Sequence, residues 1–279
     1  GCVAAHPGDE VQEVDLPAVT FRDLQQRRPP SFGLSLARHA LAELGALEVT
    51  DVPGYPEARR AALQGAARCL EGAGLERTLP DGSVRRSLAA RTSASGLLGP
   101  LDEEGRASSF EGCSGSWRAA ADQLRLLVRS AALQVAAALG DANEGVAKAL
   151  STAETLEHFH LYLPPPASPP SPSPPEASGA SSDRASAGGG GGRGLEDEAP
   201  SSLPLHVDAG FLVAATPGLS VDPPHLQAAA AAAALPGPLL LQRGREGEGE
   251  GEKVEVVRPR LREDSVLILA GHALAAAAA

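Results

Sequence analysis

His206 and Asp208 stand two residues apart in the segment LPLHVDAG, residues 203–210. On an extended strand, side chains two apart point to one face, so an imidazole and a carboxylate can take adjacent positions around one metal ion. Completed by a distant second His, such a pair makes the facial ligand set of a non-haem Fe(II) centre and leaves positions open for small ligands. Three residues of this pattern also recur by chance, and a surface pair at the exit of a loop is the plain alternative. A second group lies in residues 156–163, LEHFHLYL. Its alternation predicts a strand with His158, His160 and Tyr162 on one face. For the two histidines, a packed or solvated pair is the plainer reading than a second metal site. His39 reads as a helix residue and His225 as a loop residue after two prolines. The Glu/Gly run at 246–252 lacks the ligand spacing of a Ca2+ loop and reads as a solvated hairpin tip.

The elements that must position these groups follow from pattern. Residues 14–19 predict a short strand suited to a sheet edge, where Pro17 is tolerated. Leu34, Ala37, Leu41 and Leu44 predict a helix over 34–44 with Gly45 as its cap. A strand over 46–49, a turn at Pro53-Gly54 and a helix over 57–70 come next. Residues 72–116 are rich in Gly, Ser and Arg and read as irregular, with short strands around Val84 and Leu97. The stripe Leu124, Leu127, Val128, Ala131, Ala132 and Val135 predicts a helix over 117–139. Beyond residue 163 the composition breaks: 26 of the 41 residues from 164 to 204 are Pro, Ser or Gly and none is aromatic. Such a stretch cannot bury enough apolar surface to offset its ordering entropy, so a disordered insertion is expected. Strands are then predicted over 205–215, 237–242, 254–257 and 265–269.

Composition bounds the partners. The 279 residues carry a net charge of −11, which opposes nucleic-acid binding. No apolar run is long enough to span a bilayer, and no leader pattern is visible, so the reading leans to a soluble, cytoplasmic chain. Cys2, Cys69 and Cys113 are odd in number and widely spaced, and read as idle or buried thiols rather than a disulfide or zinc framework.

Four segments together resemble the Fe(II)/2-oxoglutarate-dependent dioxygenases of the plant, isopenicillin-N-synthase-like branch. Residues 203–219, LPLHVDAGFLVAATPGL, are similar to the family's metal-binding strand. HFHLYLPPP (158–166) looks like the strand-and-proline segment before it, where a Tyr lies near the 2-oxoglutarate site; Tyr162 matches that position, and His160 stands where the branch commonly has Asn. REDSVLILAG (262–271) looks like the acidic turn, apolar strand and Gly turn that follow. The start, VDLP through LGALEVTDVPG, looks like the family's cap region. The resemblance implies an α+β chain with an N-terminal helical cap region over 11–150. A double-stranded β-helix (jelly-roll) domain over 151–279 follows, interrupted at 164–204. It implies Fe(II) as cofactor, held by His206 and Asp208, and 2-oxoglutarate as cosubstrate beside Tyr162. The expected reaction decarboxylates the keto acid to succinate and oxidises a small-molecule substrate, with neither nucleic acid nor membrane as partner.

Two family features have no clear counterpart. The late His that completes the metal set is matched only by His272, in a different context, and no Arg follows Arg262 to pair with the far carboxylate of 2-oxoglutarate. With no Met present either, the sequence reads as incomplete at both ends and as inactive in this form. The alternative is a non-catalytic jelly-roll binding or scaffold protein. A third reading takes the Ser-Pro tract as a glycosylated stalk, but it interrupts a fold that resumes after it.

Overall fold

The structure is a computed structural model that describes residues 12–26, 32–79, 82–93, 96–101, 113–139, 148, 151–152, 154–165, 210–220, 241–245 and 253–271. Two short strands, β1 (Gln12–Asp15) and β2 (Ala18–Thr20), flank Leu16 and Pro17. Thr20 caps helix α1 (Phe21–Gln25), its Oγ1 accepting from the Asp23 amide at 3.0 Å. Helix α2 (Phe32–Glu43) ends at Gly45, whose φ of +66° is the left-handed conformation that glycine adopts without cost. Strand β3 (Ala46–Thr50) follows, buried on both faces from Ala46 to Val49. Gly54 and Pro56 open the 19-residue helix α3 (Tyr55–Ala73). Helix α4 (Gly115–Ala138) is capped by Ser114, which accepts from the Trp117 amide at 3.1 Å.

Residues 72–116, expected to be irregular, hold three strands: β4 (Leu75–Thr78), β5 (Val84–Ser93) and β6 (Gly96–Leu101). Arginine hides them from a hydropathy reading, because its long apolar stem can lie along a sheet while its head group stays wet. β7 (Thr155–Leu163) pairs antiparallel with β5 from end to end, Val84 opposite Leu163 and Thr92 opposite Thr155. β4 and β6 divide the other edge of β5 between them.

The remaining strands bring both ends of the described chain together. β8 (Leu212–Ala215), β9 (Leu241–Arg245), β10 (Lys253–Arg260) and β11 (Val266–Ala270) come from the C-terminal part. One sheet runs β2-β3-β11-β8 and another β1-β10-β9, so each short N-terminal strand occupies an edge, as its proline suggested. Two of these contacts are parallel, β1 with β10 and β2 with β3. The architecture is therefore a mixed helix-and-strand fold with three sheets among the described residues.

Helices α1, α2, α3 and α4 cover one face of the β2-β3-β11-β8 sheet. Val19, Leu47, Val49, Val266 and Ile268 meet Leu24, Ala37, Leu41, Tyr55, Leu124 and Val135 there. A second core joins α3 and α4 to the β5/β7 sheet through Leu88 and Phe159, with Trp117 edge-on to Phe159 at a centroid distance of 5.6 Å. In this core Cys69 of α3 and Cys113, just before α4, form a disulfide with Cα atoms 4.6 Å apart. The expectation of unpaired thiols is corrected here: 44 residues separate the two in sequence, but the packing of α3 on α4 brings them together.

Candidate functional site

Strand β7 carries the one sequence-predicted site residue that falls among the described residues, Tyr162. The period of two places Phe159 and Leu161 toward the helices and His158, His160 and Tyr162 on the opposite face. Their rings form a row, 5.7 Å between the centroids of His158 and His160 and 6.2 Å between those of His160 and Tyr162. The cross-strand partners on β5 are Ala89, Ser87 and Arg85 respectively. Partners in register point to the same side of a sheet, so Arg85 and Ser87 share this face. Ser87 Oγ lies 2.8 Å from His160 Nδ1.

The electrostatics of the row keep its imidazoles neutral. The pKa of His160 is pushed down to about 4 by desolvation, by the Arg85 guanidinium and by His158. His158 is lowered by desolvation and by Arg85. A neutral His160 that accepts from Ser87 at Nδ1 carries its proton on Nε2, where it can donate to an incoming oxygen. The helix-facing side of the sheet also holds a charged pair: Glu157 of β7 accepts from Arg125 of α4. Burial raises the Glu157 pKa, and Arg125 works against that rise.

His206 and Asp208 lie outside the described residues, as do His225, His272 and residues 246–252. Of the predicted insertion 164–204, only Pro164 and Pro165 are described. The structure does fix where the chain goes after residue 208. Phe211 accepts at its carbonyl from the Gly271 amide at 2.9 Å, and β8 then pairs with β11, Leu212 opposite Ala270. Buried Arg59 of α3 holds the segment after β8 by donating to the carbonyl oxygens of Pro217, at 3.0 Å, and Gly218. Glu48 plays the same part for the acidic turn before β11. It is 1% exposed, and its Oε1 accepts from the Arg262 amide at 2.8 Å and from the Ser265 hydroxyl. His39 lies exposed on α2, as its sequence context implied. Among the described residues no three His, Cys, Asp or Glu side chains converge as a metal site.

A hollow of about 210 Å³ lined by Val14, Asp15, Leu16, Leu44, Leu241 and Val257 lies elsewhere. Its single charged side chain, Asp15, is bonded by Arg260 through two contacts of 2.9 Å, and this pairing lowers its pKa. It offers no free reactive group.

Sequence reasoning missed Arg77 and Arg85, the basic side of this face. The signal available was Pro80-Asp81-Gly82, a turn sequence between two short runs with β-branched residues. It marks the β4–β5 hairpin, in which Leu79 N donates to Ser83 O at 2.8 Å and Gly82 takes a φ of +79°.

No family model and no curated protein matches the sequence. Among solved structures, a C-terminally truncated thymine hydroxylase from Neurospora crassa in apo form is 13% identical, with a TM-score of 0.47 over 94% of this chain and 83% of that one. The full-length Neurospora crassa enzyme in complex with alpha-KG and 5-formyluracil is 11% identical, with a TM-score of 0.47 over 93% of this chain and 73% of that one. At this identity and overlap neither match carries an argument, and the functional reading rests on the residues themselves.

Proposed function

We propose that this chain is an Fe(II)- and 2-oxoglutarate-dependent oxygenase of the plant-type branch, built on a jelly-roll core, that oxidises a small molecule. The observation that supports the reading best is the convergence of the resembling segments. VDLPAVT ends in β2, LGALEVT forms β3, GFLVAA forms β8 and REDSVLILA forms β11, and these four strands are neighbours in one sheet. Segments that resemble one family in order and also pair side by side are harder to attribute to chance than scattered matches.

On this reading His206 and Asp208 hold the iron, and Tyr162 borders the keto acid. Bound Fe(II) supplies the activation of O2 that is coupled to decarboxylation of 2-oxoglutarate. The chain's own part is positional. Gly271 and Arg59 anchor the backbone on either side of β8, which fixes the exit of the metal-binding segment. The β5/β7 face presents hydroxyl, imidazole and guanidinium donors without a competing carboxylate among the described residues on it.

The test is metal affinity measured by calorimetry, with Mn(II) as an oxygen-stable probe. His206→Ala and Asp208→Ala should each weaken binding by at least roughly 10–100-fold, the loss already seen for outer-shell changes at metal sites. Unchanged affinity in both variants would rule the reading out. Fe(II)-dependent succinate release then separates an enzyme from the alternative, a non-catalytic jelly-roll binding protein. Metal binding without succinate selects the latter.

A further inference from the structure

The β4–β5–β7 sheet sets two arginines directly opposite each other. Arg77 of β4 is the register partner of Arg85 of β5, and Tyr162 of β7 is the partner of Arg85 on its other side. All three side chains therefore project from one face in a single row. The next row holds Ser87 and His160. Like charges placed directly opposite across strands destabilise a sheet, so the pair calls for a counter-charge.

The neighbouring arginines have theirs. Arg86 donates to Glu76 at 2.9 Å on the other face, and Arg91 pairs with Glu154. Among the described residues no carboxylate pairs with Arg77 or Arg85, and the Arg85 Nε is buried without a hydrogen-bond partner. The two guanidinium groups, the Tyr162 hydroxyl and the Nε2–H of a neutral His160 form a set of donors lacking an acceptor.

We infer that Arg77, Arg85, Tyr162 and His160 form an oxyanion-binding site for the carboxylate of a small organic acid. The site goes beyond the oxygenase reading, because the opposed arginines need an anion whether or not a metal binds nearby. The choice of carboxylate over phosphate rests on that reading, in which a keto acid must be held and no arginine follows Arg262. A guanidinium takes a carboxylate through two parallel N–H···O bonds, which fixes orientation as well as affinity. A lysine at position 85 would supply the charge without the fork.

The probe is glutarate, a dicarboxylate with no keto group to chelate a metal, titrated calorimetrically into the metal-free chain. Glutarate should bind, and Arg85→Gln and Arg77→Gln should each weaken it roughly tenfold to a hundredfold, as expected for loss of hydrogen bonds to a charged group. Arg85→Lys should recover part of the loss, and His206→Ala should leave glutarate binding unchanged. The folding control is the melting temperature without anion: removing one of two opposed charges should leave it unchanged or raise it. A lower melting temperature for ligand-free Arg77→Gln would mean that the guanidinium already has a structural partner, and would overturn the inference. So would glutarate binding insensitive to both Arg→Gln changes, or binding of inorganic phosphate alone. Metal affinity that falls in His206→Ala while the arginine variants bind glutarate normally sinks the anion site and spares the oxygenase reading. The converse pattern does the opposite.

Discussion

His160 shows how one side chain can report on its surroundings. Desolvation, Arg85 and His158 all act against its protonation, and Ser87 occupies Nδ1. Tyr162 lies beside it, and Arg77 stands across β5 from the same row. The folded-state pKa of about 4 lies below the ordinary 6.5. Above pH 6.5 the ring is neutral in both folded and unfolded chains, and the full stability is present. As pH falls toward 4 the unfolded chain takes up a proton that the folded chain refuses, so stability declines across this window. His158 shifts in the same direction and adds to the decline. The melting temperature should therefore drop between pH 6.5 and 4, with a shallower slope in His160→Gln. Equal slopes would show that the imidazole is not held neutral.

At the scale of elements, the turn before β11 depends on a buried carboxylate one sheet partner away. Glu48 reaches from β3 to the Arg262 amide and the Ser265 hydroxyl, with the Arg262 guanidinium 3.6 Å from its second oxygen. Glu48→Ala strands those donors, and a buried unmatched polar group costs about 1–3 kcal/mol. Urea unfolding should show a loss of that size, with Glu48→Gln milder because its amide oxygen still accepts; a loss below about 0.5 kcal/mol, the range of ordinary surface changes, would contradict the account. Elements of this kind were only partly legible in sequence. Helices α2, α3 and α4 and strands β3, β7 and β11 announce themselves through apolar period or continuous apolar runs. β5 does not, because Arg85, Ser87, Ala89 and Arg91 line one face and Arg86 interrupts the other. The shared face of His158, His160 and Tyr162 follows from a period of two. Its arginines do not, because strand register joins residues about 75 positions apart, and that pairing is decided by tertiary packing.

Across the whole molecule, the Cys69–Cys113 disulfide ties α3 to the start of α4 over a loop that contains β4, β5 and β6. Closing a loop of 44 residues removes unfolded-state entropy worth about 4 kcal/mol on the chain-entropy relation, an upper figure for the stabilisation. Thermal unfolding with reductant should therefore occur at a clearly lower temperature than without, and a Cys69→Ala/Cys113→Ala double variant should ignore the reductant. Identical melting of the wild-type chain in both conditions would mean that the bond contributes nothing. Disulfides persist in oxidising compartments, so the location of the native chain gains a physical marker that composition did not provide.

The pairing of β1 with β10 and of β2 with β3 beside β11 has a consequence for how the chain is made. A ribosome adds roughly 5–20 residues each second, so residues 12–20 leave the exit tunnel long before residues 253–270 exist to meet them. During that interval β3 offers an unpaired backbone edge and four successive buried positions, the kind of edge that recruits other chains. Helices α3 and α4 have each other and the β5/β7 sheet, all synthesised by residue 163, and can assemble while translation continues. The sheet that unites the resembling segments closes last, and nascent copies depend on chaperones or on spacing along the message until it does.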